Sequence, residues 1–218
     1  MFYNIDMSKL IKKSQVNDVL DLLEQMHPEA ACALDHRNNF ELIVAVALSA
    51  QTTDVSVNKV TPALFDKYPT PEALSKAEIA EVEQLIKTIG LYKNKAKNIV
   101  AMADMLVKEF DSTVPNTREE LVKLPGVGRK TANVVMAEAF GEPAIAVDTH
   151  VFRVANRIGL CDEPTPEKTE HALMKVLPQD KWIRAHHLII FHGRKICDAR
   201  KPKCEECLLS KMCIYNTK

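Results

Sequence analysis

The chain has 218 residues, 46% hydrophobic and 27% charged, and its 29 lysines and arginines balance 29 aspartates and glutamates. That is the make-up of a water-exposed globular protein, long enough for one large domain or two small lobes sharing an interface. No apolar run approaches the roughly 20 residues of a membrane helix and no hydrophobic leader opens the chain, so neither a membrane span nor secretion is expected, and the expected location is cytoplasmic.

Zero net charge still permits a basic face. From Lys181 onward, Arg184, Arg194, Lys195, Arg200, Lys201 and Lys203 meet only Asp198, Glu205 and Glu206. A face of that kind can contact a short run of phosphates.

Met1 to Lys13 reads as a frayed start. Val16, Val19, Leu20 and Leu23 recur at helical spacing and predict a helix over 16–26, ending before His27-Pro28. Phe40 to Ala50 is almost wholly apolar and predicts a buried helix that surfaces at the polar Ser49-Ala50-Gln51-Thr52-Thr53-Asp54. Residues 55–68 predict another, with Val57, Val60, Leu64 and Phe65 inward. Thr70-Pro71-Glu72 supplies an N-cap and a proline at the first helical position. Ile79, Val82, Leu85, Ile86 and Ile89 continue that segment to Gly90. Leu91 opens the next, which runs through Ile99, Met102 and Leu106 to Phe110.

Thr117-Arg118-Glu119-Glu120 is a capping box for a short helix, and Lys130 to Phe140 reads as a longer one closed by Gly141. Asp148 is placed to cap a helix through Val151, Val154, Ala155 and Ile158, ended by Gly159. A second Thr-Pro-Glu opens the segment 165–177. The last long helix is expected from about Asp180 to Phe191, with Gly193 as its stop. Strand periodicity is scarce, so the fold class is all-α.

Between the capping-box helix and its successor lies Leu124-Pro125-Gly126-Val127-Gly128-Arg129-Lys130. Pro125 discourages continuation of the first helix. Gly126 and Gly128 permit positive φ and leave backbone N–H groups uncovered beside the positive end of the second helix, an arrangement suited to a phosphate oxygen. The hairpin alone is equally an ordinary tight turn. Lys130 falls in the first turn of the second helix, where the dipole and desolvation both disfavour a cation, and an amine so placed can serve as a nucleophile. First turns favour Asp and Glu, so this lysine is placed against type. Eighteen residues later comes Asp148. A fixed carboxylate facing an amine nucleophile can stabilise an oxocarbenium-like centre or assist proton transfer.

Cys197, Cys204, Cys207 and Cys213 are spaced C-x6-C-x2-C-x5-C. Disulfides fit poorly in a chain without a secretory leader. Four thiolates suit zinc, although zinc sites usually show two C-x2-C knuckles and this array has one. They also suit a [4Fe–4S] cluster bound by a compact loop. Spacing leaves both metals open and favours the cluster.

The lysine-bearing hairpin, the aspartate of Val147-Asp148-Thr149-His150 and the cysteine array occur together and in order. In this the chain resembles the helix-hairpin-helix DNA glycosylase superfamily and, more narrowly, the endonuclease III family, from about Val19 to Cys213. The resemblance implies two helical lobes with a DNA-binding cleft. One is a continuous bundle over 32–142 with its hairpin at about 124–130. The other is a discontinuous lobe of 1–31 plus 143–218 carrying the [4Fe–4S] cluster loop, 197–213. Lys130 and Asp148 would be the catalytic pair, and the four cysteines would hold the cluster as a rigid scaffold.

Phosphate contacts would come from Gly126, Val127, Gly128 and Arg129 and from Lys201 and Lys203. Gln51 matches a glutamine that enters the duplex where a base has been removed, Leu91 an apolar wedge inserted from the minor groove, and His150 a histidine of the cleft. A surface amide, a core leucine and a helix-surface histidine are their rival readings. Cys32 and Cys161 read as core or bystander thiols. His186, His187 and His192 fit packing or phosphate contact better than a metal site. The segment 161–168 has no assigned role.

The function so implied is a bifunctional DNA glycosylase and abasic-site lyase of base excision repair. It would act as a monomer on double-stranded DNA containing damaged bases or abasic sites, associated with the nucleoid through that DNA. An adenine-mismatch glycosylase of the same superfamily is the nearest alternative, but such relatives usually lack the nucleophilic lysine. A non-catalytic metal-cluster DNA-binding module is a second. A redox carrier would give Lys130 and the hairpin no task.

Overall fold

The computed structural model describes residues 10–216, and every described regular element in it is helical. The chain divides into two units, one made of Ala33–Glu142 and the other of Met1–Cys32 with Pro143–Lys218.

In the continuous unit, α2 (Asn39–Leu48) is the apolar centre. Nine of its ten residues are buried, and Asn38 caps it by accepting from the Glu41 amide. The buried Glu41 carboxylate accepts in turn from the Arg37 amide at 2.7 Å and Arg37 Nε at 2.8 Å, which satisfies a charge that would otherwise be costly inside the unit. Helix α3 (Asp54–Lys67) starts from a Thr53 cap. The helix expected over 70–89 is two. Helix α4 (Pro71–Ser75) ends at Lys76, and α5 (Ile79–Ile86) begins again after an extended Glu78. The break lets Leu74 face α6 (Tyr92–Glu109) from one helix while Val82 and Ile86 are buried from another.

Helix α7 (Arg118–Leu121) is opened by half of the expected capping box: the Glu120 amide donates to Thr117 Oγ1, but the Glu120 carboxylate accepts from that hydroxyl at 2.6 Å rather than from the Thr117 amide. Helix α8 (Arg129–Phe140) packs on α2 and α7, and Arg118 Nε donates to the buried Asn133 Oδ1 at 2.9 Å. The hairpin therefore stands between two helices anchored to the most apolar part of the unit.

The discontinuous unit brings α1 (Val16–Met26) against α11 (Trp182–Lys195), with α9 (Thr149–Ile158) between α11 and α10 (Pro166–Val176). Its core runs from Val16, Val19, Leu20 and Leu23 to Val151, Val154, Leu188 and Ile189. Arg184 of α11 clamps the end of α1, donating to both Glu24 carboxylate oxygens, to the Ala30 carbonyl and to the Pro28 carbonyl at 3.0 Å.

The start of the chain is less frayed than expected. Residues 1–9 lie outside the described residues, but Ile11 is buried and its amide donates to the Gly159 carbonyl at 2.9 Å. Gly193, expected to stop the last helix, lies inside α11. A Cβ there would come within 2.9 Å of His150 Cβ and 3.1 Å of Val154 Cγ2. The glycine serves the close approach of α11 to α9 rather than a helix end.

Candidate active site and cluster loop

Gly126 has φ +81°, and a side chain there would press on Asn98 of α6, so only glycine fits the turn. Gly128 departs from expectation. It is extended (φ −98°, ψ 179°), with nothing within 4 Å of where a Cβ would lie. As N-cap of α8 it offers no side-chain acceptor, and helix geometry gives the first-turn amides no acceptor inside the helix. Val127 is turned inward, buried, with its amide bonded to the Leu124 carbonyl at 3.0 Å, so it anchors the hairpin. Arg129 is half-buried.

Lys130 is the second residue of α8, in a first turn that contains no acidic side chain. Its own side chain is exposed. The expectation of desolvation against the helix pair is therefore corrected, and the helix dipole remains as the local electrostatic influence.

Two loops of the same unit meet beside Gly90. Gln51, exposed in the turn after α2, has φ +54°, and Leu91, the N-cap of α6, has φ +59° with 57% of its surface exposed. The core-leucine reading is thus excluded. Non-glycine residues in this region cost about 1–2 kcal/mol each. A Cβ on Gly90 would lie 4.0 Å from the Gln51 carbonyl oxygen, which places the two strained residues side by side.

In the discontinuous unit Asp148 caps α9, with Oδ1 accepting from the His150 and Val151 amides at 2.9 and 2.8 Å. His150 Nδ1 lies 3.2 Å from Arg153 Nη2. The same guanidinium donates to the Gly193 carbonyl at 2.9 Å and the Cys197 carbonyl at 3.1 Å, so one arginine joins the Asp148 turn to the first cysteine of the array. Its i+3 spacing from His150 on a helix was the available sequence signal.

None of the six cysteines is in a disulfide. The four of the array line one recess with Ile158, His192 and Leu209. Burial, with repulsion from the neighbouring thiolates, pushes the Cys207 thiol up to about 11, and burial also raises Cys213. Such thiols ligate only when the positive charge of bound metal offsets that penalty.

The array's outer loop is shaped by Asp198, whose Oδ1 accepts from the Arg200 and Lys201 amides. Arg157 braces it through the Asp198 and Ala199 carbonyls at 2.7 and 2.8 Å. Lys201 and Lys203 are exposed on it.

His192 and His186 are buried, so packing rather than phosphate contact accounts for them. Burial drives His192 down to about 4, which keeps its imidazole neutral. Its Nε2 lies 3.6 Å from Cys207 Sγ and its Nδ1 3.1 Å from His27 Nε2. One tautomer then accepts from His27 and donates to the sulfur, the outer-shell support that metal ligands commonly have. Cys207→Ser is expected to cut bound iron by at least about tenfold, since losing a ligand exceeds the effect of losing an outer-shell partner. Iron analysis and visible absorbance measure it.

A glycine hairpin opening a lysine-bearing helix, in one chain with a four-cysteine loop, is the combination that two family profiles match, and they give the class as a helix-hairpin-helix DNA-repair protein with an iron–sulfur domain. The family profile described as "HhH-GPD superfamily base excision DNA repair protein" matches residues 44–179, and the "Iron-sulfur binding domain of endonuclease III" matches 197–213. Endonuclease III of Bacillus subtilis is 50% identical over 94% of this chain and 94% of its own length. That of Escherichia coli K12 is 44% identical over 95% and 99%. A trapped endonuclease III–DNA covalent intermediate superposes with a TM-score of 0.91 at 49% identity, covering 95% of this chain and 98% of that one. The chain belongs to the endonuclease III family. It is a bifunctional DNA glycosylase and abasic-site lyase of base excision repair, and it carries a [4Fe–4S] cluster.

Proposed function

We propose that the enzyme removes oxidised pyrimidines from duplex DNA and cuts the strand at the abasic site it creates, with Lys130 as covalent nucleophile. The observation that carries this reading is the position of Lys130, exposed in the first turn of a helix that starts directly from the glycine hairpin. The trapped covalent DNA intermediate of a 49% identical relative supports a covalent step.

The Lys130 amine attacks C1′ of the damaged nucleotide, and the electron pair of the glycosidic bond leaves with the base. Ring opening gives a Schiff base. Loss of a C2′ proton then expels the 3′ phosphate by β-elimination. Asp148, fixed by its two cap bonds, stabilises positive charge at C1′ and assists the proton movements.

C1′ is poorly reached inside the stack, so the target nucleotide is extruded. Gln51 and Leu91, exposed and paired beside Gly90, occupy the space it leaves, and His150 is a further DNA contact. The hairpin backbone at Gly126 and Gly128, together with Arg129, Lys201 and Lys203, holds phosphates. Cys197, Cys204, Cys207 and Cys213 hold the cluster, whose contribution is a rigid support for the loop that presents the two lysines.

The two units act as the two lobes, and a monomer meets double-stranded DNA in the nucleoid. Among the described residues no helix is long and apolar enough to cross a membrane. The test is a panel of duplexes carrying different lesions, with borohydride trapping in parallel. Release of oxidised pyrimidines with a trapped adduct is the expected result. A purified protein that leaves abasic duplexes uncut would refute the proposal.

A further inference from the structure

Lys95 lies in the second turn of α6 and is only 6% exposed, although lysine is rarely buried without a partner. Its Nζ donates to Thr52 Oγ1 at 2.6 Å. Burial lowers its pKa. The position therefore costs stability, and a stability role alone explains it poorly.

What Lys95 touches is more informative. Thr52 directly follows Gln51, and its own amide closes the turn on the Ser49 carbonyl at 3.0 Å. The backbone amide of Lys95 donates to the Leu91 carbonyl, also at 3.0 Å. Lys95 thus ties the turn of Gln51, through the neighbouring Thr52 hydroxyl, to the first turn of α6, whose opening i→i−4 bond runs from the Lys95 amide to the Leu91 carbonyl. Gln51 and Leu91 are each strained and exposed, so neither holds its conformation by its own packing.

The geometry points to Lys95 as the positioning residue that keeps Gln51 and Leu91 in register for insertion into a duplex. This rests on the reading of those two residues given above. Lys95 touches no reacting atom. It preorganises the pair, so that the energy of ordering two loops is spent in folding rather than at the moment of base extrusion.

The test uses the cluster-loaded enzyme and two duplexes. One carries thymine glycol opposite adenine, which requires extrusion of a stacked base. The other carries an abasic site facing a second abasic site, with no base to displace. A third probe, 2-aminopurine opposite a reduced abasic site, brightens when it is unstacked. Lys95→Met keeps the side-chain bulk and removes the donor. It is expected to slow single-turnover release of thymine glycol roughly ten- to hundred-fold, the scale of a lost charge-assisted hydrogen bond, and to abolish most of the fluorescence rise. Cleavage of the doubly abasic duplex should stay within about threefold.

Thr52→Val should reproduce this pattern, Thr52→Ser should restore wild-type behaviour, and Lys95→Met with Thr52→Val should be no worse than either alone. If Lys95→Met fails to fold, the Thr52→Val and Thr52→Ser pair decides. Equal loss on both duplexes, or wild-type fluorescence in Lys95→Met and Thr52→Val, overturns the proposal. Gln51→Ala and Leu91→Ala separate the two levels. If they leave the fluorescence rise intact, the insertion reading itself falls. If they abolish it while Lys95→Met and Thr52→Val do not, only the role of Lys95 falls.

Discussion

Lys130→Ala should eliminate the borohydride-trapped protein–DNA adduct and reduce lesion excision to below roughly a thousandth of wild type, the scale on which removal of a covalent nucleophile acts. Abasic-duplex binding should persist within roughly tenfold, because one cation among several phosphate contacts is lost. The variant should melt as wild type does. The side chain is exposed at the second position of α8, and surface changes of this kind stay within about 0.5 kcal/mol. The three measurements separate chemistry from binding and from folding. A variant that still traps DNA would remove Lys130 from the mechanism.

The second large effect concerns Asp148, whose structural and chemical duties can be separated. Its Oδ1 caps α9 through two amides. An asparagine carbonyl accepts the same bonds, so Asp148→Asn should leave the melting temperature nearly unchanged. It removes the negative charge, and excision should fall by about 10²–10⁴-fold, the range of a positioned acid–base group. Asp148→Ala loses the cap as well and should cost about 1 kcal/mol more in stability, without a comparable further loss of rate. Chemical denaturation and single-turnover kinetics on the same preparations test both halves. If Asp148→Asn keeps full activity, the aspartate is a cap and nothing more.

Local chemistry was the legible part of this chain. Asp148, Thr117, Thr70 and Thr165 announced four helix starts because a capping side chain acts on amides two or three residues away. The cysteine array was readable for the same reason, its four ligands lying in one short loop.

Signals that depend on a distant partner misled or were silent. Gly193 looks like a stop in sequence, and only the approach of His150 and Val154 explains a glycine in mid-helix. The apolar rhythm from Leu74 to Ile89 runs unbroken across a real helix break, because periodicity does not register the extended backbone at Glu78. Both hairpin glycines permit positive φ, but only Gly126 uses it, while Gly128 is extended. Lys95 reads as a solvated helix lysine until its depth is known. His27 and His192 lie 165 residues apart, with no local cue that they share a hydrogen bond.

The discontinuity of the second unit bears on biogenesis. During synthesis the ribosome releases Ala33–Glu142 as an uninterrupted stretch that can close its own core early. Helix α1, made before it, must wait for α11, because Leu188, Ile189 and the Arg184 clamp are among the last contacts to be translated. At elongation speeds on the order of 5–20 residues per second, the interval is roughly 10–30 s. Throughout it the apolar face of α1, Val16, Val19, Leu20 and Leu23, stands without the partners that will bury it.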